Sequence, residues 1–128
     1  MKTRFDETKR WITGMGEIIE INNMETTHLM NTIRMFVQKP YISMGIIVKD
    51  IERNKAYSQI NRAWSPDVQS EYDVTKASIS NITSMDEGEI IEYTLNSPLG
   101  QAMLTELAVR GVNIDNFIEM VMDGGGSF

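Results

Sequence analysis

The chain has 128 residues, of which 41% are hydrophobic and 23% are charged. This length predicts one domain, and this balance is typical of a globular protein rather than a disordered one. Its 12 Lys and Arg residues against 18 Asp and Glu residues give a net charge of −6. That charge argues against a nonspecific DNA or RNA binder, because phosphate contacts need a basic face. The absence of cysteine excludes a disulfide scaffold, a thiolate metal site and a cysteine nucleophile.

No apolar run approaches the roughly 18 residues that a membrane span needs, and no secretory hydrophobic region is present. We therefore expect a soluble, intracellular protein. A single domain is predicted over residues 1–123. A flexible tail is predicted over residues 124–128, because three successive glycines disfavour a helix.

The N-terminal half predicts a β-hairpin followed by two helices. β-prone runs on either side of residues 14–16 are typical of a hairpin with a glycine-containing loop. A helix is expected over about residues 25–38, and Pro40 ends it because the residue before a proline disfavours helical backbone. Residues 41–48 fit either a buried strand or the start of a helix. A helix is expected over about residues 50–64.

The C-terminal half predicts short strands and two further helices. Residues 67–88 have the weakest pattern and fit one or two short strands, and residues 89–94 fit another. Ser97-Pro98 begins a helix as its N-cap and first residue, and Gly111 supplies the left-handed C-cap. A last helix is expected over about residues 115–122. The predicted fold is α+β, with a small antiparallel sheet (the N-terminal hairpin plus the later short strands) packed with three or four helices.

No catalytic or metal-binding pattern stands out in the sequence. His28 is the only histidine, and without cysteine or a second ligand at helical spacing it does not make a zinc site. Gly14-Met15-Gly16 lacks the following helix and the Lys-Ser/Thr pair of a phosphate-binding loop. Neighbouring carboxylates such as Glu87 and Glu89 are typical of a solvated acidic surface. We therefore expect a protein that is not an enzyme and that uses no metal or cofactor.

One face of the helix predicted over residues 25–38 carries polar side chains in a row. His28, Asn31 and Thr32 lie on this face, nearly opposite the apolar stripe. Together they offer hydrogen-bond donors and acceptors that suit a polar ligand. The alternative is an ordinary solvated helix face.

Three arginines are candidates for binding an anion. Arg110 ends the predicted helix that begins at Pro98, where it either pairs with Glu106 at i, i+4 or forks onto a phosphate or carboxylate. Arg53 and Arg62 lie in the stretch that ends at Trp64, and arginine beside an aromatic ring suits a nucleobase and its phosphate. The alternative for these two is a position over a tryptophan at the rim of the core.

Two stretches of the chain resemble a module found in small phage and prophage proteins. The first has the pattern Trp-x-Thr-x-x-Gly, then Met-x-x-x-His-Leu-x-Asn-Thr-Ile, and begins at Trp11. The second has Pro-Leu followed by Leu-x-Glu-Leu-x-x-Arg-Gly and ends at Gly111. The module usually has two arginines before that glycine, whereas Val109 precedes Arg110 here.

Within such phage proteins, the chain is similar to the anti-Thoeris sponges, which bind a cyclic ADP-ribose immune signal without cleaving it. The resemblance implies an anti-defence protein of the host cytoplasm. It also implies a homo-oligomer whose pockets lie at or near subunit interfaces. The implied partner is a small anionic nucleotide, with no nucleic-acid polymer and no membrane. On this resemblance the candidate ligand contacts are His28, Arg62, Asn96 and Arg110, with arginine on the pyrophosphate and asparagine on a base or ribose edge.

Two other interpretations of the sequence stay open. The first is an acidic interaction module that inhibits or modifies a host enzyme, with some of its 10 methionines at the docking surface. Its acidic charge would then imitate DNA toward a nuclease or polymerase. The second is an enzyme acting on a nucleotide with His28 as general acid or base, which would normally need a second placed group.

Overall fold

A computed structural model describes residues 3–60 and 66–125, with side chains described at these positions except 54–60 and 66–72. This part of the chain folds as a two-stranded hairpin and six α-helices, with one short 3₁₀ turn before the hairpin (Arg4–Asp6) and one after it (Ile21–Asn23). In chain order the elements are β1 (Arg10–Ile12), β2 (Ile18–Glu20), α1 (Thr26–Gln38), α2 (Pro40–Ile60), α3 (Pro66–Thr83), α4 (Glu87–Asn96), α5 (Pro98–Val109) and α6 (Ile114–Met122). The predicted α+β class is confirmed.

The predicted hairpin is confirmed. β1 and β2 pair antiparallel, with Trp11 opposite Ile19. The connecting turn places Gly16 at φ 85°, a conformation that favours glycine, and the Gly16 N–H donates to the carbonyl of Thr13 at 3.0 Å. Trp11 is buried and meets the ring of Phe36 edge-on at 5.8 Å. The hairpin is therefore held to the body of the protein through α1.

Helix α1 lies at the centre of the fold and contacts α2, α4, α5 and α6. Its apolar stripe is formed by Leu29, Ile33 and Phe36, all completely buried. Phe36 also meets Phe5 of the first 3₁₀ turn, with ring centroids 5.3 Å apart. This stripe is the one that the helical spacing predicts.

Pro40 separates α1 from α2, as predicted. α1 ends at Gln38, and Lys39 leaves the helical conformation at φ −131° and ψ 60°. Pro40 then begins α2, because the N–H that proline lacks is not needed in the first turn of a helix. Residues 41–48, which fit either a strand or a helix in the sequence, are helical.

The strands predicted within residues 67–88 are wrong, because this region forms most of helix α3. The alternation of apolar and polar residues around Val74 extends over only a few positions. Thr75, Ile79 and Ile82 lie inward at helical spacing, whereas the Val74 side chain is 58% exposed. The hydrophobic period is that of a helix, and packing of α3 against α2 decides the structure.

The strand predicted over residues 89–94 is also wrong, since these residues lie in α4. The preceding turn is a capping box: Asp86 Oδ1 accepts from the Glu89 N–H at 2.8 Å, and Glu89 Oε1 accepts from the Asp86 N–H at 3.3 Å. In the described part of the chain the sheet therefore consists of the hairpin alone. The helices there number six, not three or four.

Helix α5 has the predicted ends. The Ser97 hydroxyl accepts from the Gly100 N–H at 3.0 Å, and Pro98 is the first helical residue. At the other end Gly111 takes φ 91°, and its N–H donates to the Ala108 carbonyl. These bonds satisfy orphan groups at both ends of the helix.

Helix α6 ends in the same way, which brings part of the predicted flexible tail into the fold. Gly124 takes φ 84°, and the N–H groups of Gly124 and Gly125 donate to the carbonyls of Val121 and Met120, each at 3.1 Å. The Gln38 amide donates to the Gly125 carbonyl at 2.9 Å. The first two residues of the predicted tail therefore cap α6 and contact α1, while residues 126–128 lie outside the described part.

Candidate functional site

Arg110, a predicted anion contact, lies at the C-terminal end of α5 and is bound by the protein itself. Its Nε donates to Glu106 Oε1 at 3.0 Å. Its two terminal nitrogens donate to one hydroxyl and three backbone carbonyls: Thr26 Oγ1 at 3.1 Å, and the oxygens of Met24 at 2.6 Å, Asn22 at 3.2 Å and Ile21 at 3.5 Å. A guanidinium has five N–H donors. Every donor of Arg110 therefore has a protein acceptor.

These bonds join the two stretches that resemble the phage module. Most of the acceptors lie between the hairpin and α1, in the first stretch, whereas Arg110 and Gly111 belong to the second. Arg110 thus ties the end of α5 to the entry of α1. Its role as a ligand contact stays a prediction, and it would require the guanidinium to leave these acceptors.

The polar row on α1 is only partly exposed. His28 and Asn31 are half-buried, and Thr32 is buried. The Thr32 hydroxyl donates to the carbonyl of His28, one turn back, at 2.8 Å. Neither His28 nor Asn31 is among the lining residues of the four surface hollows described for this fold.

Asn96 is the exposed last residue of α4. It lines an acidic hollow of about 480 Å³, defined by the carboxylates Asp6, Glu89 and Glu92 together with Tyr93. Arg62 lies outside the described residues. The hollows described here therefore do not bring together the predicted contacts His28, Asn31, Asn96 and Arg110, and their ligand roles stay predictions.

A different hollow collects three arginines. It has a volume of about 340 Å³ and lies between the first 3₁₀ turn, the hairpin and α2. We call it the arginine hollow. Its lining residues are Thr3, Arg4, Glu7, Arg10, Ile12, Ile18, Asp50 and Arg53. Ligand pockets in proteins commonly measure about 300–1,000 Å³, so this one is at the small end.

Arg4 is fixed at the inner side of the arginine hollow by Asp50. Its Nε donates to Asp50 Oδ2 and its Nη2 to Asp50 Oδ1, both at 3.0 Å, and its backbone N–H donates to Oδ2 at 3.0 Å. The side chains of this pair are 12% and 10% exposed. Nη1 donates to the carbonyl of Ile12 at 3.2 Å, and the guanidinium lies over the Trp11 ring at 5.9 Å.

This arrangement leaves Arg4 with donors to spare. Three of its five side-chain N–H groups are bonded, and the other two, one on Nη1 and one on Nη2, have no acceptor among the described residues. Arg10 and Arg53 are exposed and have no bonded partner for their guanidinium groups in the described part of the chain. The arginine hollow thus offers donors that the fold does not use, in contrast to Arg110.

The acidic hollow has the opposite character. Burial raises the pKa of the Tyr93 phenol above its ordinary value, and the negative charge of Asp6 adds to this effect. Asp6 and Glu89 each accept a backbone N–H at the start of a helical turn. The first 3₁₀ turn borders both hollows, because Asp6 lines the acidic hollow and Arg4 lines the arginine hollow.

One feature of the sequence points to the arginine hollow, and it lies on α2 rather than in the residue spacing of α1 or α5. Asp50 follows Ser43 and Ile47 at helical spacing, on the buried side of α2. A carboxylate on a buried helix face needs a cationic partner, because an unpaired buried charge is costly. Identifying that partner as Arg4 required the tertiary structure, since 46 residues separate the two.

Within the described residues, no group of three or more His, Asp or Glu side chains is arranged to hold a metal ion. Over the same residues, no helix combines the length and the apolar character needed to cross a bilayer. Comparisons with family models, with curated proteins and with solved structures found no match.

Proposed function

We propose that the protein binds a small anionic nucleotide signal in the arginine hollow and sequesters it without cleaving it. The observation that carries this proposal is the difference between two partly buried arginines. Arg110 donates all five of its N–H groups to the protein. Arg4 instead has two N–H groups with no acceptor among the described residues, and it lies near Arg10 and Arg53, whose guanidinium groups have no bonded partner there either. Charge-assisted bonds to phosphate are among the stronger polar contacts in proteins.

Preorganisation supports tight binding by this site. Asp50 and the Ile12 carbonyl hold the Arg4 guanidinium in place, so a ligand does not have to order that side chain when it binds. The hollow also has an apolar wall of Ile12 and Ile18. Such a wall suits a nucleobase or sugar ring beside the phosphate.

Sequestration, rather than turnover, fits the residues that line the hollow. His28, the candidate general acid or base of the sequence, is not one of them. The Asp50 carboxylate is engaged by Arg4 through three hydrogen bonds. The wider biological proposal follows the phage resemblance: an anti-defence protein of the host cytoplasm, acting as a homo-oligomer on a cyclic nucleotide immune signal such as cyclic ADP-ribose.

Isothermal titration calorimetry with nucleotide ligands tests this proposal. We expect Arg53→Ala to weaken binding by about tenfold, since one charge-assisted contact is worth about 1.5 kcal/mol. Lys49→Ala is the matched control, because Lys49 is an exposed cation on the same helix and does not line the hollow. An equal loss of nucleotide affinity in Arg53→Ala and Lys49→Ala would contradict the proposal. So would the absence of nucleotide binding by the wild-type protein.

A second candidate function, an acidic interaction module, is favoured by the acidic hollow. Asp6, Glu89 and Glu92 gather around Tyr93 in a protein of net charge −6. Cross-linking in host extract, followed by mass spectrometry, distinguishes the two functions. A partner lost when Glu89 and Glu92 are both changed to Gln, and retained by Arg53→Ala, would favour the interaction module.

A further inference from the structure

We infer that the arginine hollow selects a compact ligand with a single phosphodiester, as in a 3′,5′-cyclic mononucleotide, over a pyrophosphate-bridged nucleotide. This inference rests on the proposed function and specifies its ligand. It departs from the cyclic ADP-ribose ligand that the phage resemblance implies. Four properties of the hollow lead to it: the number of free donors, the charge, the size and the apolar wall.

The donors match one phosphate group. Among the described residues, one N–H on each terminal nitrogen of Arg4 has no acceptor, so the guanidinium can donate to two further acceptor oxygens. A phosphodiester has two non-bridging oxygens on one phosphorus, which suits a bidentate bond with a guanidinium. Because Asp50 fixes the guanidinium, this pair of donors is held in place before a ligand arrives.

The described lining residues carry a small positive charge. Three arginines, Arg4, Arg10 and Arg53, lie there with two carboxylates, Glu7 and Asp50, so these described residues sum to one net positive charge. A phosphodiester carries one negative charge, whereas a pyrophosphate bridge carries two. The second charge would lie in a small hollow that already holds two carboxylates, and like charges at short range repel.

The size and the walls of the hollow fit a compact ligand. A volume of about 340 Å³ is at the low end of the range for ligand pockets, which favours one nucleotide unit over two joined units. The apolar surface beside Arg4 is supplied by Ile12, which is half-buried, and Ile18, which is 65% exposed. A nucleobase packed against Ile18 would bury this exposed side chain.

Titration calorimetry with four defined probes tests the selectivity: cyclic AMP, cyclic ADP-ribose, AMP and adenosine. We expect cyclic AMP to bind at least tenfold more tightly than cyclic ADP-ribose, AMP to bind more weakly than cyclic AMP, and adenosine to show no binding. Tighter binding of cyclic ADP-ribose that is lost in Arg53→Ala would overturn the selectivity and leave the proposed function standing. No binding of any probe, or binding that Arg53→Ala does not change, would overturn both.

Two variants examine the donor pair directly. Arg4→Lys keeps a cation for Asp50 but removes the paired N–H groups, so cyclic AMP affinity should fall by tenfold or more. Circular dichroism and thermal unfolding would establish that this variant is folded. Arg10→Ala, at an exposed position, gives a second measurement that does not disturb the buried pair. Unchanged cyclic AMP affinity in both variants would contradict the inference.

Discussion

Two partly buried arginines of this protein, Arg110 and Arg4, differ in how many of their N–H groups are bonded to the protein. Arg110 has its five donors satisfied by Glu106 of α5 and by four acceptors around the entry of α1. Arg4 donates to Asp50 and to the Ile12 carbonyl, and two of its N–H groups have no acceptor in the described part of the chain. Counting donors against acceptors therefore separates a guanidinium that holds the fold from one that is available to a ligand.

The donor count predicts that Arg110→Lys destabilises the protein. Lysine cannot reach all of these acceptors at once, and the carbonyls of Ile21 and Met24 would lose a charged donor. We expect the free energy of unfolding to fall by about 2 kcal/mol, measured by urea denaturation. Arg53→Lys, at an exposed position, should change it by less than about 0.5 kcal/mol. Equal stability of the two variants would mean that the Arg110 bonds contribute little.

The raised pKa of Tyr93 predicts that the stability of the protein depends on pH in alkaline solution. Its pKa is raised in the folded state by burial and by Asp6. The unfolded chain therefore ionises first, and the folded state loses stability as the pH rises above about 10, the ordinary tyrosine value. Thermal unfolding between pH 9 and pH 11 should show a smaller loss of melting temperature in Tyr93→Phe than in the wild-type protein. Parallel curves for the two proteins would contradict this cause.

At the scale of elements, capping and proline signals predicted the ends of helices better than alternation predicted strands. Pro40, Ser97 and Gly111 mark the same boundaries in the sequence and in the structure. Alternation over a few residues predicts short strands where α3 and α4 form, although the residues of α3 that lie inward, Thr75, Ile79 and Ile82, recur at helical spacing. Packing against α2 resolves that ambiguity, and a single sequence does not contain this information.

The junction between α4 and α5 depends on one glycine. A Cβ at Gly100 would overlap the backbone of Thr94 and Leu95, so α5 could no longer turn back closely against α4. Gly100→Ala should lower the free energy of unfolding by about 3 kcal/mol. Gly45 in α2 is the matched control, since a Cβ there meets nothing within 4 Å. Gly45→Ala should stabilise the protein by about 0.5–1 kcal/mol through helix propensity, and an equal effect of both changes would refute the close approach.

At the scale of the whole molecule, most residues of the phage-like pattern can be explained by packing. Trp11, Met24, Leu29 and Ile33 are buried, and Gly16 takes the left-handed conformation of its turn. The pattern could therefore predict the hairpin and α1. It could not predict the arginine hollow, because Arg4 and Asp50 lie outside it and meet only in the folded chain.

The distribution of charge over the molecule leads to a last prediction. The protein carries −6 overall, and its acidic hollow shares the first 3₁₀ turn with the arginine hollow. An anionic ligand thus approaches a local positive site through a repulsive field, which slows association at low salt. Changing Glu89 and Glu92 to Lys adds two charges at each position and takes the net charge from −6 to −2.

We expect this double variant to bind a fluorescent cyclic mononucleotide with an association rate constant about threefold higher at low salt, with an unchanged dissociation rate. Stopped-flow measurements at 0.05 M and 1 M NaCl separate the two rates. The difference should vanish at 1 M, where the screening length is about 3 Å. A changed dissociation rate would instead mean that these two glutamates contact the ligand, which would move the binding site from the arginine hollow to the acidic one.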